Sequence, residues 1–583
     1  MDAHSHRFAS SLLRYARPLF YALWLAIALM HAGTSGLLDD EAYYWMYARY
    51  PAWGYFDHPP MIGAIIGAGY ALFPNPFGVR LIIVLMSTAT LLGIERLLEK
   101  KDDRLFFMMA LSLGVLQVGG IIAVPDIPLL FFTTLFLLAF RRFTKQQRWR
   151  ETVLMAISMA GMAYSKYHGA LVVIFCLAAV PHLLLRWQTY AAALLALTLF
   201  TPHLLWQWQH DFPSFRYHLF ERNAPIYKVA YTTEYLLGQL ALAGPLIGWL
   251  ILWAAARHRP VSETEKALRW VLLGCYAFFF LNTFKGRVEA NWTAPALVPL
   301  IVLSHQWLTT RPRPTRWLRW LFIPSFLLAM AVRFYMVADI DPIPGIEKDE
   351  FHRNRPWAEA IAQKAKGRAI VIVNSYQRPS QYNFATGGSA FCLTNIFYRR
   401  NNYNFWPIEA KLLGQHALVI SHEDYRRFSD TIYTPRGFIG SMDVPKYFSF
   451  SGIDIRCQET LIAHHRRLQT TLEVHIPEAF KTSPQFEDYD TAQVVMAIYR
   501  LNKKTALLFP TGARLADIRD GRLPVQITLP PAYEPGIEAQ DWQVKWGVTT
   551  AIPGWPSLNS SDYKLIITPT INRKNKAHHR LQE

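Results

Sequence analysis

Cysteine is scarce, with four in 583 residues. That excludes a disulfide-built scaffold, and no cysteine or histidine pattern has the spacing of a zinc site. Cys176 and Cys275 fall in apolar runs and read as packing residues. Cys392 and Cys457 lie in a more polar region, where one disulfide in an oxidising compartment stays open. No internal repeat or low-complexity segment is evident. Acidic residues are the minority, 42 against 60 Lys and Arg, for a net charge of +18. Position argues against a nucleic-acid partner. Much of the Lys and Arg stands in short loops between apolar runs, where it sets membrane topology. Some of the excess would attract anionic head groups or a phosphorylated substrate. Arg7, Arg14 and Arg17 precede an apolar stretch, 19–32, with no convincing small-residue cleavage site after it. It reads as a retained first span with a cytoplasmic N-terminus.

Hydrophobic residues make up 52% of the chain and aromatics 14%. Up to about residue 335, runs of about 15 to 20 apolar residues recur, each long enough to cross a hydrocarbon core. The pattern predicts about eleven spans. They centre near Trp24, 65–91 (long or broken, counted once), Leu113, Phe132, Ile157, Ile174, Leu195, Ile247, Phe278, Val298 and Phe322. Basic clusters at 96–104, 141–150, 257–269 and 311–319 then all face the cytoplasm, and the aromatic-rich loops 37–60, 207–234 and 285–292 face away. An odd count puts the C-terminal part outside the cytoplasm. The expected architecture is a polytopic α-helical membrane domain, 1–338, whose first outer loop is 33–60, followed by a soluble extracytoplasmic domain, 339–583. That domain should hold a helix at 357–366 and strands at 369–374, 416–421, 494–499, 525–529 and 542–548. It reads as an α/β unit followed by a β-rich one.

The most informative stretch is 37–61, LLDDEAYYWMYARYPAWGYFDHPPM. Asp39, Asp40 and Glu41 follow the first span directly, and aromatics crowd the next fifteen or so positions, as suits a loop lying at head-group depth. Such acids often just stay solvated. Here Asp57 and His58 precede Pro59 and Pro60, a rigid pair, and ionisable groups near membrane depth usually have a function or a partner. Three further segments carry polar residues at span ends: Val124-Pro125-Asp126, Ser165-Lys166-Tyr167-His168-Gly169, and 289–295, EANWTAP. Structural readings stand beside functional ones. Asp126 would cap a helix, Lys166 would snorkel, His58 and His168 would be satisfied core histidines, Lys285 and Arg287 would meet lipid head groups, and Asn291 and Trp292 would anchor a span.

Taken in order, DEAYYW, FDHPPM, VPD, SKYHG and EANWTAP resemble the GT-C polyprenyl-phosphate-sugar glycosyltransferases. The resemblance is to the aminoarabinose transferase and protein O-mannosyltransferase branch (glycosyltransferase families 39 and 83). It covers the membrane half well and the rest loosely, through YNFW at 403–406. Some members have Lys where this chain has His58. The resemblance implies an inverting transfer from an undecaprenyl-phosphate sugar to a lipid A-like glycolipid, a glycan or a protein, at the periplasmic face of a bacterial inner membrane. It assigns Asp40 as general base, with Glu41 supporting its geometry or an ion. Asp57, His58, Asp126, Lys166, His168, Glu289 and Asn291 would bind donor phosphate or substrate, where positive charge eases departure of a phosphate. No cofactor is required, although Asp40, Glu41 and Asp126 would suit a divalent metal. One rival class is a polytopic transporter or lipid flippase with a periplasmic accessory domain, whose polar groups would follow a path near the midplane. The other is an anchored binding module, for which one span would suffice.

Overall fold

The computed structural model describes residues 3–222, 226–338, 349–422, 428–464, 466–483, 485–500, 506–530 and 542–568. They form two compact units, Met1–Asn354 and Arg355–Glu583.

The first unit is helical. α1 (Ala3–Thr34) is followed by α2 (Asp39–Arg49), α3 (Met61–Leu72), α4 (Pro76–Leu97), α5 (Asp103–Ser112) and α6 (Gly114–Gln117). Then come α7 (Asp126–Phe143), α8 (Trp149–Ser165), α9 (Ala170–Ala179), α10 (Trp187–Gln209) and α11 (Pro213–Arg216). α12 (Val229–Leu242), α13 (Gly248–Arg257), α14 (Glu263–Asn282), α15 (Ala294–Thr309) and α16 (Pro312–Val337) complete it. Side chains start several of these helices. Asn75 accepts from Gly78 N–H ahead of Pro76, Asp102 caps α5, and Ser262 caps α14.

The expected span centres fall on these helices or, at Leu113 and Ile247, at their junctions. What hydropathy reads as one span is often broken. Among the described residues, three helices, α4, α10 and α16, are long and apolar enough to cross a bilayer unaided. The end of α1 meets α2 at 85°, and α5 meets 114–121 at 76°. The 65–91 region contains one long helix, α4. α3, at twelve residues, spans only about 18 Å and folds back on α4. A Cβ on Gly69 would stand 2.2 Å from the Gly78 carbonyl oxygen, so that crossing needs glycine.

The second unit opens with α17 (Asn354–Ala365), then β1 (Ala369–Val373), α18 (Gln377–Thr386), β2 (Phe391–Leu393), β3 (Ala417–Ser421), β4 (Asp430–Thr434) and β5 (Gly437–Val444). These strands make a five-stranded sheet ordered β2-β1-β3-β5-β4, parallel at β1–β2 and β1–β3. The rest is a β-rich layer: β6 (Asp454–Arg456), β7 (Thr460–His464), β8 (Arg467–His475), α19 (Glu478–Lys481), β9 (Gln493–Arg500), β10 (Ala506–Arg514), β11 (Arg522–Thr528), β12 (Trp542–Val548), β13 (Ser557–Leu558) and β14 (Tyr563–Thr568). Its main order is β10-β9-β12-β14-β7-β8-β11. The sequence-predicted strands all correspond, within a few residues, to β1, β3, β9, β11 and β12.

The YNFW segment is a structural knot. The Tyr403 hydroxyl meets Ser380 Oγ at 2.9 Å, and Asn401 donates to Thr394 Oγ1 at 3.1 Å, tying α18 and β2 together. Buried Glu409 accepts from Ser449, Ser451 and Gly452, and burial pushes its carboxyl up. Cys392 and Cys457 are not paired: Cys392 is buried beside Thr394 and Asn401, and the Cys457 sulfur accepts from Trp546 Nε1.

Candidate active site

The acidic triplet occupies the first turn of α2, where the helix dipole favours negative charge. Glu41 is fully buried. Its Oε1 accepts from Arg80 Nε–H at 2.7 Å and from the Ala123 N–H at 2.7 Å. Its Oε2 accepts from the Leu38 N–H at 2.9 Å and from Arg80 Nη2. Arg80 also donates to the carbonyls of Ser35 and Gly36 and to Ser35 Oγ. Such dense hydrogen bonding is what lets a buried ion pair keep its charge. Glu41 therefore fastens α2 to α4 and to the segment ahead of α7. Asp40, half-buried, is the most accessible acid of the three.

Ala123 stands three residues before Asp126, the first residue of α7. Asp126 does not cap that helix. Its two oxygens accept from Lys166 Nζ at 2.8 and 2.9 Å, and Asn291 Nδ2 donates to Oδ2 at 3.0 Å. Lys166 closes α8, and Asn291 lies in the 3-10 turn Ala290–Thr293 that leads into α15.

The loop between α2 and α3 supplies a second wall. The Tyr43 hydroxyl donates to Asp57 Oδ2 at 2.7 Å, and His218 Nε2–H donates to the Asp57 carbonyl at 2.9 Å. The His58 ring meets Tyr44 edge-on at 5.5 Å and stands 6.4 Å from His218. Lys166, His218, Arg222 and His168 stand around His58. Arg222 lies 4.1 Å over Trp292 and 4.0 Å from Glu289, which also sits 3.6 Å from Arg287. Lys285 is exposed. His168 packs edge-on against Phe279 at 5.4 Å, and its buried Nε2 has no partner among the described residues.

Backbone contacts from α10 and α11 hold the loop from behind. His203 Nδ1–H donates to the Trp53 carbonyl at 2.7 Å, which leaves Nε2 to accept from the Tyr167 hydroxyl at 2.9 Å. Ser214 Oγ donates to the Tyr55 carbonyl at 2.5 Å. Beside the cluster lies a cavity of about 180 Å³, with Asp126, Asn291 and Gln239 at its polar wall and Leu130, Leu242 and Leu297 among its apolar lining.

The fold and part of the sequence have known counterparts. The sequence model of the dolichyl-phosphate-mannose-protein mannosyltransferase family matches residues 57–206. That interval holds Asp57, His58, Asp126, Lys166 and His168, but not Asp40, Glu41 or Glu289. Lipid A galacturonosyltransferase RgtD of Rhizobium johnstonii is 25% identical over 310 residues, 49% of this chain and 63% of that protein. The chain thus spans less than two thirds of that relative. Crystal structures of ArnT from Cupriavidus metallidurans, apo and bound to undecaprenyl phosphate, superpose with TM-scores of 0.52 and 0.53 at 14% and 15% identity. Each covers 73% of this chain and 97% of ArnT. The chain has the ArnT fold. It is the GT-C fold that the motifs imply.

A metal fits the observed donors poorly. Glu41 is spent on Arg80 and two backbone N–H groups, and Asp126 on Lys166 and Asn291. Among the described residues no three His, Cys, Asp or Glu side chains are grouped to hold an ion. Sequence reasoning missed Arg80, His218 and Arg222. Arg80 was visible as a lone cation within the apolar PFGVRLIIV, a pattern that calls for a partner. His218 and Arg222 lie in the segment 207–234, where spacing alone distinguishes no residue.

Proposed function

We propose that this chain is an inverting glycosyltransferase that moves a sugar from a polyprenyl phosphate to a cell-envelope acceptor. The observation that carries the reading is the gathering of Lys166 and Arg222 with His58, His168 and His218 beside an apolar cavity whose polar wall includes Asn291 and Asp126, the partner of Lys166. A lipid phosphate has that division of chemistry: apolar chain, anionic head. In the reaction the acceptor oxygen attacks the anomeric carbon while the bond from that carbon to the phosphate oxygen breaks. The acceptor proton passes to Asp40, and the phosphate leaves with the bonding pair. A single displacement inverts the anomeric centre. The leaving phosphate is stabilised by Lys166, His58, His168, His218 and Arg222, which act best in a water-poor pocket. Glu289 and Asn291 hold Arg222 and Asp126 in place, and Asp57 holds Tyr43 and His218.

Undecaprenyl phosphate, the lipid bound to ArnT, is the carrier we assign. A lipid A-like glycolipid is the favoured acceptor, by likeness to the galacturonosyltransferase; glycans and proteins complete the class. The reading places the protein in a bacterial inner membrane with its site on the periplasmic side. Against a transporter, the polar groups gather at helix ends (the first turn of α2, the first residue of α7, the end of α8) and not along a midplane path.

The test is sugar release or transfer from synthetic undecaprenyl-phosphate sugars by purified protein, wild type beside Asp40→Asn. Donor-dependent turnover that falls about 10²- to 10⁴-fold in a folded Asp40→Asn supports the general base. Undiminished turnover removes Asp40 from that role. No turnover of any donor, with a lipid A-like acceptor present, counts against the transferase.

A further inference from the structure

Arg333 stands on α16 four residues before its end, amid apolar neighbours. Its Nη1 donates to Gln117 Oε1 at 2.9 Å, its Nη2 to the Ile27 carbonyl at 3.4 Å, and its Nε to His31 Nδ1 at 3.5 Å. These contacts fix two orientations. Gln117 turns its oxygen to Arg333, so its NH₂ points elsewhere. His31 accepts at Nδ1, so its hydrogen is on Nε2. Both Gln117 Nε2 and His31 Nε2 are buried and lack a partner among the described residues. The three side chains are 8%, 3% and 5% exposed for Arg333, Gln117 and His31. No described carboxylate contacts Arg333, whereas Arg80, also buried in this unit, is answered by Glu41.

The outcome is a cluster whose unanswered atoms are all donors, carrying a full positive charge and no counter-charge among the described residues. An ionised side chain in that position calls for an anion. The depth says which kind. His31 is three residues from the end of α1 and Arg333 four from the end of α16, about 5 to 6 Å along each axis, which is head-group depth in a spanning pair. Ile27 and Met30 of α1 and Val332 and Phe334 of α16 are exposed apolar residues beside it, a surface for acyl chains.

We propose that Arg333, Gln117 and His31 form a binding site for the phosphate of an anionic lipid, built from none of the residues assigned to the sugar donor. The lipid supplies the missing charge and clamps α1 and α16 onto the bend between α5 and α6. The site depends on the membrane reading of this unit and is independent of the transfer chemistry. A glycerophospholipid or the polyprenyl phosphate itself presents the same phosphate.

The full chain is reconstituted in nanodiscs of phosphatidylcholine alone, with phosphatidylglycerol, or with undecaprenyl phosphate, and studied by thermal melting and native mass spectrometry. Phosphatidylglycerol should raise the wild-type melting temperature and remain bound. Gln117→Glu, which places a carboxylate beside Arg333 with little change in shape, should lose the shift and bind the lipid about tenfold more weakly. Arg333→Gln should behave likewise where it folds. A shift with undecaprenyl phosphate that Gln117→Glu abolishes supports the site with the carrier as its occupant. No shift with either lipid overturns the proposal. So does a shift that survives in Gln117→Glu, because with undecaprenyl phosphate it then reports the donor cluster.

Discussion

At the scale of single residues, adjacent acids in one helical turn do different work. Glu41 faces inward onto Arg80, whereas Asp40 is only half-buried. Removing one partner of a buried pair costs about 3–5 kcal/mol, because the other charge is left uncompensated. Glu41→Gln should therefore lower the melting temperature and activity together, and Glu41→Gln/Arg80→Met should recover part of the stability. Asp40→Asn should spare the melting temperature and lower kcat. A melting temperature unchanged in Glu41→Gln would refute the structural role. Sequence reasoning could name the triplet but not sort it, since the partner that decides, Arg80, lies in another helix. A second residue-scale effect concerns pH. Burial, with help from Arg378 and Arg436, pushes His422 down to about 3. His422 stays neutral in the fold but gains a proton in the unfolded chain below its ordinary 6.5. Stability should then be full above that pH and fall by about 1 kcal/mol per unit as pH drops toward 3. Proteolytic melting of the second unit in the intact protein, at pH 7, 6 and 5, measures that slope. His422→Phe should flatten it, and an equal slope in the variant would assign the effect elsewhere.

At the scale of elements, hydropathy located the helices but, apart from leaving 65–91 open as long or broken, could not see their breaks. The run through Leu113 reads as one span, yet α5 and the following segment diverge by 76°. Apolar residues lie on both sides of the break, so composition does not register it. The strands of the second unit were more legible, because alternation in Val525-Gln526-Ile527 and continuous burial in Ala417–Ser421 are local signals. The α3–α4 crossing was not legible, since it depends on Gly69 meeting Gly78 across a turn. There a methyl group would come within 2.2 Å of a backbone oxygen. Gly69→Ala should force the helices apart, cost about 1–3 kcal/mol, and displace the loop carrying Asp57 and His58. The measured signature would be a raised KM for the donor alongside a lower melting temperature. Wild-type values for both would show that α3 can shift without moving the loop.

At the scale of the whole first unit, charge and chemistry sit at opposite helix ends. α7 begins with Asp126 and carries Arg141 and Arg142 in its last turn; α8 follows Arg148 and is capped by Lys166. Eighteen residues of α7 measure about 27 Å, close to the thickness of a hydrocarbon core. The basic loops also touch each other. Arg141 Nη1 donates to the Arg96 carbonyl, Ser262 Oγ to Glu99, and the Lys100 N–H to Gln306. One face of the unit thus gathers the basic clusters 96–104, 141–150 and 257–269, and the other gathers the candidate site. Because Lys and Arg in short loops stay on the cytoplasmic side, the site should open to the outside. In a Cys457→Ser background the remaining native cysteines are buried. Introduced cysteines at Lys101 and Arg519, both exposed, then report the two sides. A membrane-impermeant maleimide added to intact spheroplasts should label Arg519→Cys, and should label Lys101→Cys only after lysis. The reverse pattern would put the site in the cytoplasm, where donor and acceptor would have to be met on the inner leaflet. Labelling of both in intact cells would mean that 96–104 crosses the membrane despite its four positive charges, and the orientation argued from charge would fail.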